Sequence, residues 1–136
     1  MRPTSTQLKA DLLEHSTKVR RSFETLMGWD SCATALDGQC ERMSKSLTAV
    51  LVAEGFEARV ECGTYFGCDP SYEPSFSDWD EEAIEVHDPS NGYSHYWVVC
   101  ESVLIDICSD QFHPNQRSQY RVVMEHEDFT NWQSAQ

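Results

Sequence analysis

The stretch Ser94-His95-Tyr96-Trp97-Val98-Val99-Cys100-Glu101-Ser102-Val103-Leu104-Ile105-Asp106-Ile107-Cys108 decides how the chain is read. Two runs rich in β-branched and aromatic residues, Ser94–Val99 and Val103–Cys108, flank a short polar break, which is a hairpin pattern. Side chains alternate across a strand, so His95 and Trp97 share one face, as do Leu104, Asp106 and Cys108. A turn made of Cys100 and Glu101 pairs Val99 with Ser102 and sets His95 directly opposite Asp106. Their Cβ atoms would then stand about 5 Å apart, which suits a carboxylate orienting an imidazole. A longer turn with an even number of residues keeps the two on one face, and an odd number separates them. Asp106 lies among Val103, Leu104, Ile105 and Ile107. A carboxylate in such company needs a partner, and His95 is the one within reach.

Upstream of the hairpin, Met43, Leu47, Val50, Leu51, Ala49 and Ala53 predict a helix from about Gln39 to Glu54, apolar over a broad surface and ended by Gly55. Phe56, Ala58, Val60 and Cys62 then alternate on one face of a strand over residues 56–64. Near the N-terminus, Leu8, Leu12, Val19, Phe23 and Leu26 predict an amphipathic helix over residues 6–27, capped by Thr4, Ser5 or Thr6 and stopped by Gly28. Residues 65–92, rich in proline, serine and acidic residues, read as a long loop or insertion of functional character. Gln119–Glu125 predicts a further strand, and the tail from Asp128 is weakly patterned. The expected architecture is an α+β single domain: N-terminal helices packed on an antiparallel sheet of about four strands.

Composition narrows the classes of function. A chain of 136 residues with 40 % hydrophobic content and four tryptophans predicts a folded globule. No run approaches the roughly 20 apolar residues of a membrane span. Met1-Arg2-Pro3-Thr4-Ser5-Thr6 carries no apolar leader, so a cytoplasmic location is expected. Six cysteines in that compartment stay reduced, with Cys100 and Cys108 expected as small core residues.

The net charge of −13 is concentrated. Residues 60–116 hold twelve acidic residues and no lysine or arginine, whereas residues 1–59 carry eight of each sign. Such a stretch repels nucleic acid and anionic membrane, so neither is an expected partner; a basic peptide or protein is attracted to it. The bland reading of the same stretch is a solvated loop.

Cys40 follows the turn-like Asp37-Gly38-Gln39 and opens the second helix. A thiol attacks acyl groups as the thiolate, and its ordinary pKa of about 8.5 leaves little thiolate at neutral pH. With Asp37 as the cap, Cys40 falls in the first turn, where unpaired N–H groups favour an anion and can hold an oxyanion. Gln39 and Trp29 are the side-chain candidates for a further oxyanion donor. His95 would exchange the proton and Asp106 fix its tautomer. Trp97, together with Asp78, Trp79 and Asp80 on an exposed edge, is the expected substrate contact. Cys62 and Cys68 with His87 or His95 lack the close spacing of paired zinc ligands, and Asp78, Asp80, Glu81 and Glu82 lack the EF-hand pattern. No metal and no cofactor is therefore expected.

Taken together, Gln39-Cys40 leading into a helix, Ser94-His95-Tyr96-Trp97-Val98, and Leu104-Ile105-Asp106-Ile107 followed by Asp110-Gln111-Phe112 resemble the papain-like, transglutaminase-like thiol-enzyme superfamily. The resemblance covers roughly residues 28–125. It implies a papain-like core with Cys40 as nucleophile, His95 as general base and acid, and Asp106 as the orienting residue. Where the papain branch has a glutamine several residues ahead of its cysteine, this chain reads Ala33-Thr34-Ala35-Leu36. The implied activity is hydrolysis or transfer of an amide acyl group of a peptide or protein, as in a peptidase, deamidase or transglutaminase. The alternative is a catalytically inactive acidic binding or inhibitor module on the same fold, with an unreactive Cys40 held away from His95.

Overall fold

A computed structural model describes residues 5–28, 36, 38–70, 72, 92–126 and 129–134. Helix α1 spans Ser5–Met27 and helix α2 spans Cys40–Ala53. Leu12, Val19 and Phe23 of α1 are buried, with Leu8 and Met27 packed beside them. Leu26, expected on that face, is instead 69 % exposed. Each seven-residue step on a straight helix drifts by about 20°, so Leu12-Val19-Leu26 walks off the core. Met27, one turn beyond Phe23, takes the inward place.

Five strands follow: β1 (Ala58–Tyr65), β2 (Tyr93–Cys100), β3 (Val103–Asp106), β4 (Val123–His126) and β5 (Trp132–Ser134). They form one antiparallel sheet in the order β4-β3-β2-β1-β5. The fold is α+β as expected, and among the described residues the sheet has five strands rather than about four. The unexpected β5 comes from the weakly patterned tail, where Trp132 is buried and its two followers are exposed. So short a strand has no alternation to read. The strand expected from Gln119 begins only at Val123, because Arg117–Gln119 form a 3-10 turn.

β1 and β2 pair over their whole length, from Ala58 opposite Cys100 to Tyr65 opposite Tyr93. Gly92 makes the entry to β2 possible. Its φ is +72°, and a Cβ there would fall 2.5 Å from the Thr64 methyl and 2.7 Å from the Tyr65 carbonyl. β3 covers β2 only over Val98–Cys100, leaving residues 93–97 outside that ladder.

The hairpin register corrects the expected one. Cys100 pairs with Val103, so Glu101 and Ser102 make the turn, with Glu101 at φ 57°. This placement keeps apolar Cys100 and Val103 in the buried ladder and puts the two polar residues outside. By the same register Trp97, not His95, falls opposite Asp106, and His95 lies on the diagonal. Parity is unchanged, so the two still share a face.

Both faces of the sheet are covered. On one, Met43, Leu47 and Leu51 of α2 meet the α1 apolar face and Val98, Cys100, Val103 and Ile105. On the other, Tyr65, Tyr93, Trp97, Val99, Leu104, Phe112 and Trp132 form a largely aromatic layer. Each fully buried leucine contributes about 1.5–3 kcal/mol of apolar burial. Arg20, 1 % exposed, fastens α1 to the turn after β3. Its guanidinium donates to both Asp110 oxygens at 2.7 and 2.9 Å and to the Ile107 carbonyl at 2.8 Å. No helix among the described residues is long and apolar enough to cross a membrane.

Candidate active site

The nucleophile candidate sits where a turn becomes a helix. Gly38 adopts φ +83°, which reverses the chain, and Gln39 takes the cap position without a side-chain capping bond. The first helical hydrogen bond runs from Met43 N–H to the Gln39 carbonyl at 2.9 Å. The N–H groups of Cys40, Glu41 and Arg42 therefore have no acceptor within the helix and carry the positive end of its dipole. The expected cap Asp37 lies outside the described residues, as do Trp29 and Asp78-Trp79-Asp80. Gln39 lines an open groove beside the helix start with Gly38, Glu41, Arg42 and Lys45.

His95 and Asp106 come together across the β2–β3 diagonal. Both side chains are fully buried, and His95 Nε2 stands 2.7 Å from Asp106 Oδ2. Asp106 is the hub of a small network: Oδ2 also accepts from Trp132 Nε1 at 2.9 Å, and Oδ1 accepts the Cys108 N–H at 3.0 Å. Burial pushes the Asp106 pKa up, but the His95 charge and these three donors outweigh it and hold the carboxyl below its usual range. An ionised carboxylate only accepts, so Nε2 carries a hydrogen. Phe112 meets the His95 ring edge-on at 4.9 Å and Tyr65 lies at 5.7 Å, fixing the ring in an apolar cage.

With Nε2 committed to Asp106, Nδ1 is the nitrogen left to Cys40. It is buried and has no closed hydrogen bond among the described residues. The half-buried Cys40 thiol lies within interaction range of His95, Cys108 and the Tyr96 N–H, which belongs to the part of β2 that β3 leaves uncovered. A hydrogen bond from the Cys108 thiol is the largest influence on Cys40; burial opposes it, and His95 and the Tyr96 N–H add to it. Together they bring the Cys40 pKa down to about 4. For His95, burial lowers the pKa, but Asp106 first and Cys40 second raise it to about 9. Between those limits the resting pair is thiolate and imidazolium.

Cys108 plays a larger part than the sequence indicates. Its burial fits the expected core cysteine, yet its sulfur lies within 4.8 Å of ligand atoms of His95 and Asp106 and approaches the Tyr96 carbonyl at 3.9 Å. Burial and its hydrogen bond to Cys40 push its pKa well above the usual thiol range, so it stays a donor. The His95, Asp106 and Cys108 cluster has the donor types of a cation site. The Asp106 oxygens, however, are already engaged by Trp132, His95 and the Cys108 N–H.

Gln111 is the second residue without an assigned role in the sequence. Its Oε1 accepts the Gly38 N–H at 3.0 Å, and its Nε2 donates to the Cys108 carbonyl at 3.1 Å. It thereby ties the turn before Cys40 to the bend after β3. Trp97, read as a substrate contact, is 2 % exposed and packs in the aromatic layer, so it presents no surface to a substrate. Its inward face follows from the parity that buries His95. Trp132 gave no signal, being an isolated aromatic in a polar tail.

No family model matches this chain, and neither a curated protein nor a solved structure does.

Proposed function

We propose that the protein is a cysteine-dependent hydrolase that opens an amide bond of a peptide or protein through a thioester on Cys40. The observation that supports this most is the linear order Cys40, His95, Asp106, with a buried 2.7 Å His95–Asp106 bond behind a thiol at a helix start. Helix with cysteine, strand with histidine and neighbouring strand with aspartate is also the order implied by a small papain-like or transglutaminase-like core.

In this reading the Cys40 thiolate adds to the amide carbonyl carbon, and the charge moves onto the carbonyl oxygen. First-turn N–H groups of α2 receive that oxyanion. His95 gives its proton to the departing nitrogen, the C–N bond breaks, and the thioester remains. His95, now neutral, takes a proton from water; the hydroxide adds to the thioester, and the acid leaves as Cys40 regains its resting state. A peptidase releases an amine-ended peptide at the first stage, and a glutamine deamidase releases ammonia. An amine acceptor in place of water gives transglutamination on the same residues.

The acidic stretch supports a basic peptide or protein as substrate, acting within the cell that makes it. Asp106 and Asp110 do not contribute to that surface, being buried and paired. Peptides carrying amide side chains and cationic flanks, incubated with the protein and quenched in acid, should leave an acyl adduct on Cys40 by mass spectrometry. Higher salt should slow the cationic peptides selectively. No adduct with any peptide, together with Cys40 alkylating no faster than the exposed Cys62, would refute the reading.

A further inference from the structure

The catalytic proposal uses only one of the two sulfurs at this site. Cys108 is 1 % exposed, on the bend that follows β3, and its thiol approaches the Tyr96 carbonyl at 3.9 Å within interaction range of Cys40. Neither cysteine sits inside a strand ladder: Cys40 is the first residue of α2, and Cys108 lies between β3 and the 3-10 turn Ser109–Phe112. Both backbones can therefore adjust without breaking sheet pairing. Cys40 packs against the buried cluster that contains Cys108 and lies within interaction range of it, and His95 has a ring nitrogen within 4.8 Å of the Cys108 sulfur.

We propose that Cys108 is a resolving thiol for Cys40, so that peroxide converts the pair into a reversible Cys40–Cys108 disulfide that silences the site. The Cys40 thiolate attacks the terminal oxygen of a hydroperoxide, forming an S–O bond and breaking the O–O bond. The alkoxide or hydroxide released takes the His95 proton. Neutral His95 then accepts the Cys108 proton, and the Cys108 sulfur attacks the Cys40 sulfur. Hydroxide leaves and departs as water with the proton held on His95. The sum is two cysteine sulfurs oxidised to one disulfide and one peroxide reduced to an alcohol, or water, plus water.

Selectivity follows from the surroundings of the other described cysteines. Burial pushes the Cys68 thiol up to about 12, and burial with the Glu101 charge lifts Cys100 to about 11, so neither competes for peroxide as thiolate. Cys62 is exposed on β1. The consequence is protective as well as regulatory. A sulfenic acid trapped as a disulfide does not advance to the irreversible sulfinic acid.

The inference rests on the reactive Cys40 of the proposed hydrolase but not on hydrolysis itself. The reduced full chain is treated with a small excess of hydrogen peroxide at neutral pH, digested without reductant, and mapped by mass spectrometry. The expected product is a Cys40–Cys108 cross-linked peptide pair lighter by two hydrogens, with Cys40 alkylation restored by dithiothreitol. In Cys108→Ser the cross-link is absent and Cys40 accumulates as sulfinic acid that dithiothreitol does not reverse. Wild-type Cys40 ending as sulfinic acid beside a free Cys108 thiol, or paired with any other cysteine, overturns the proposal. The wild-type map alone decides this, even if the serine variant folds poorly. A cross-link in a protein that never forms an acyl adduct keeps the redox inference and removes the hydrolase; an adduct without a cross-link does the reverse.

Discussion

Asp106→Asn tests the electrostatic core of the site, because it removes a charge while keeping the shape. In the wild type, burial works against a protonated His95 and Asp106 is the leading influence that overcomes it, giving a pKa of about 9. Without the carboxylate charge, burial and the residual Cys40 contact act on an imidazole whose ordinary pKa is 6.5. At pH 8 a group with pKa 9 is about 90 % protonated, and one at 6.5 is about 3 % protonated. The imidazolium population therefore falls roughly thirtyfold at that pH. The asparagine amide can still accept from Trp132 or from the Cys108 N–H but not replace every bond, so some stability is lost too, on the order of 1–3 kcal/mol. Two measurements read the outcome. The His95 ring resonances, followed by NMR against pH, should titrate two or more pH units earlier in the variant. The alkaline limb of Cys40 acylation, expected near pH 9 in the wild type, should move down with them. A folded Asp106→Asn protein whose His95 still titrates near 9 would show that Asp106 does not hold the imidazolium, and the argument for a charged triad would collapse.

Three further outcomes follow from the same contacts. Trp132→Phe keeps the ring packing on Tyr65 but removes the 2.9 Å bond to Asp106, and should lower unfolding free energy by about 1.5–3 kcal/mol in a denaturant titration. Among the described residues Arg20→Met leaves buried Asp110 with Arg117 at 3.7 Å as its one cationic partner, and a loss of about 3–5 kcal/mol is expected; a midpoint within error of the wild type would show that the latch is dispensable. Gln111→Ala frees the Gly38 N–H and should slow Cys40 acylation about tenfold without moving either pH limb, since it alters position and not charge. A shifted limb would mean that Gln111 acts on the titrating pair.

How much of this was legible in the chain depends on the range of the interaction. The hairpin, both helices and the shared face of His95 and Asp106 follow from periodicities internal to each segment, and those expectations carried through to the fold. The exact pairing did not, because whether Cys100 or Ser102 belongs to the ladder depends on which packs better against α2. Cys108, Gln111 and Trp132 gain their roles only when distant segments meet. The Trp132–Asp106 bond spans 26 residues and the Gly38–Gln111 bond 73. No local pattern encodes either contact. The acidic stretch shows the opposite limit: among its described acids, Asp106 and Asp110 are internal, and composition alone could not separate them from surface charge.

The short β3 links these observations into one physical cause. Because β3 stops pairing at Val98, the 93–97 half of β2 keeps a backbone edge that β3 does not cover, and a buried edge must find partners. The Tyr96 carbonyl is approached by the Cys108 thiol, and the Tyr96 N–H reaches the Cys40 sulfur. A longer β3 would satisfy Tyr96 with ordinary ladder bonds and leave the start of α2 nothing polar to meet. The thiolate is therefore stabilised by an interrupted sheet as well as by a helix end. The Cys40 pKa is lowered inside a chain of net charge −13 because a thiol, an imidazolium and a backbone N–H lie within interaction range, where they outweigh distant screened carboxylates.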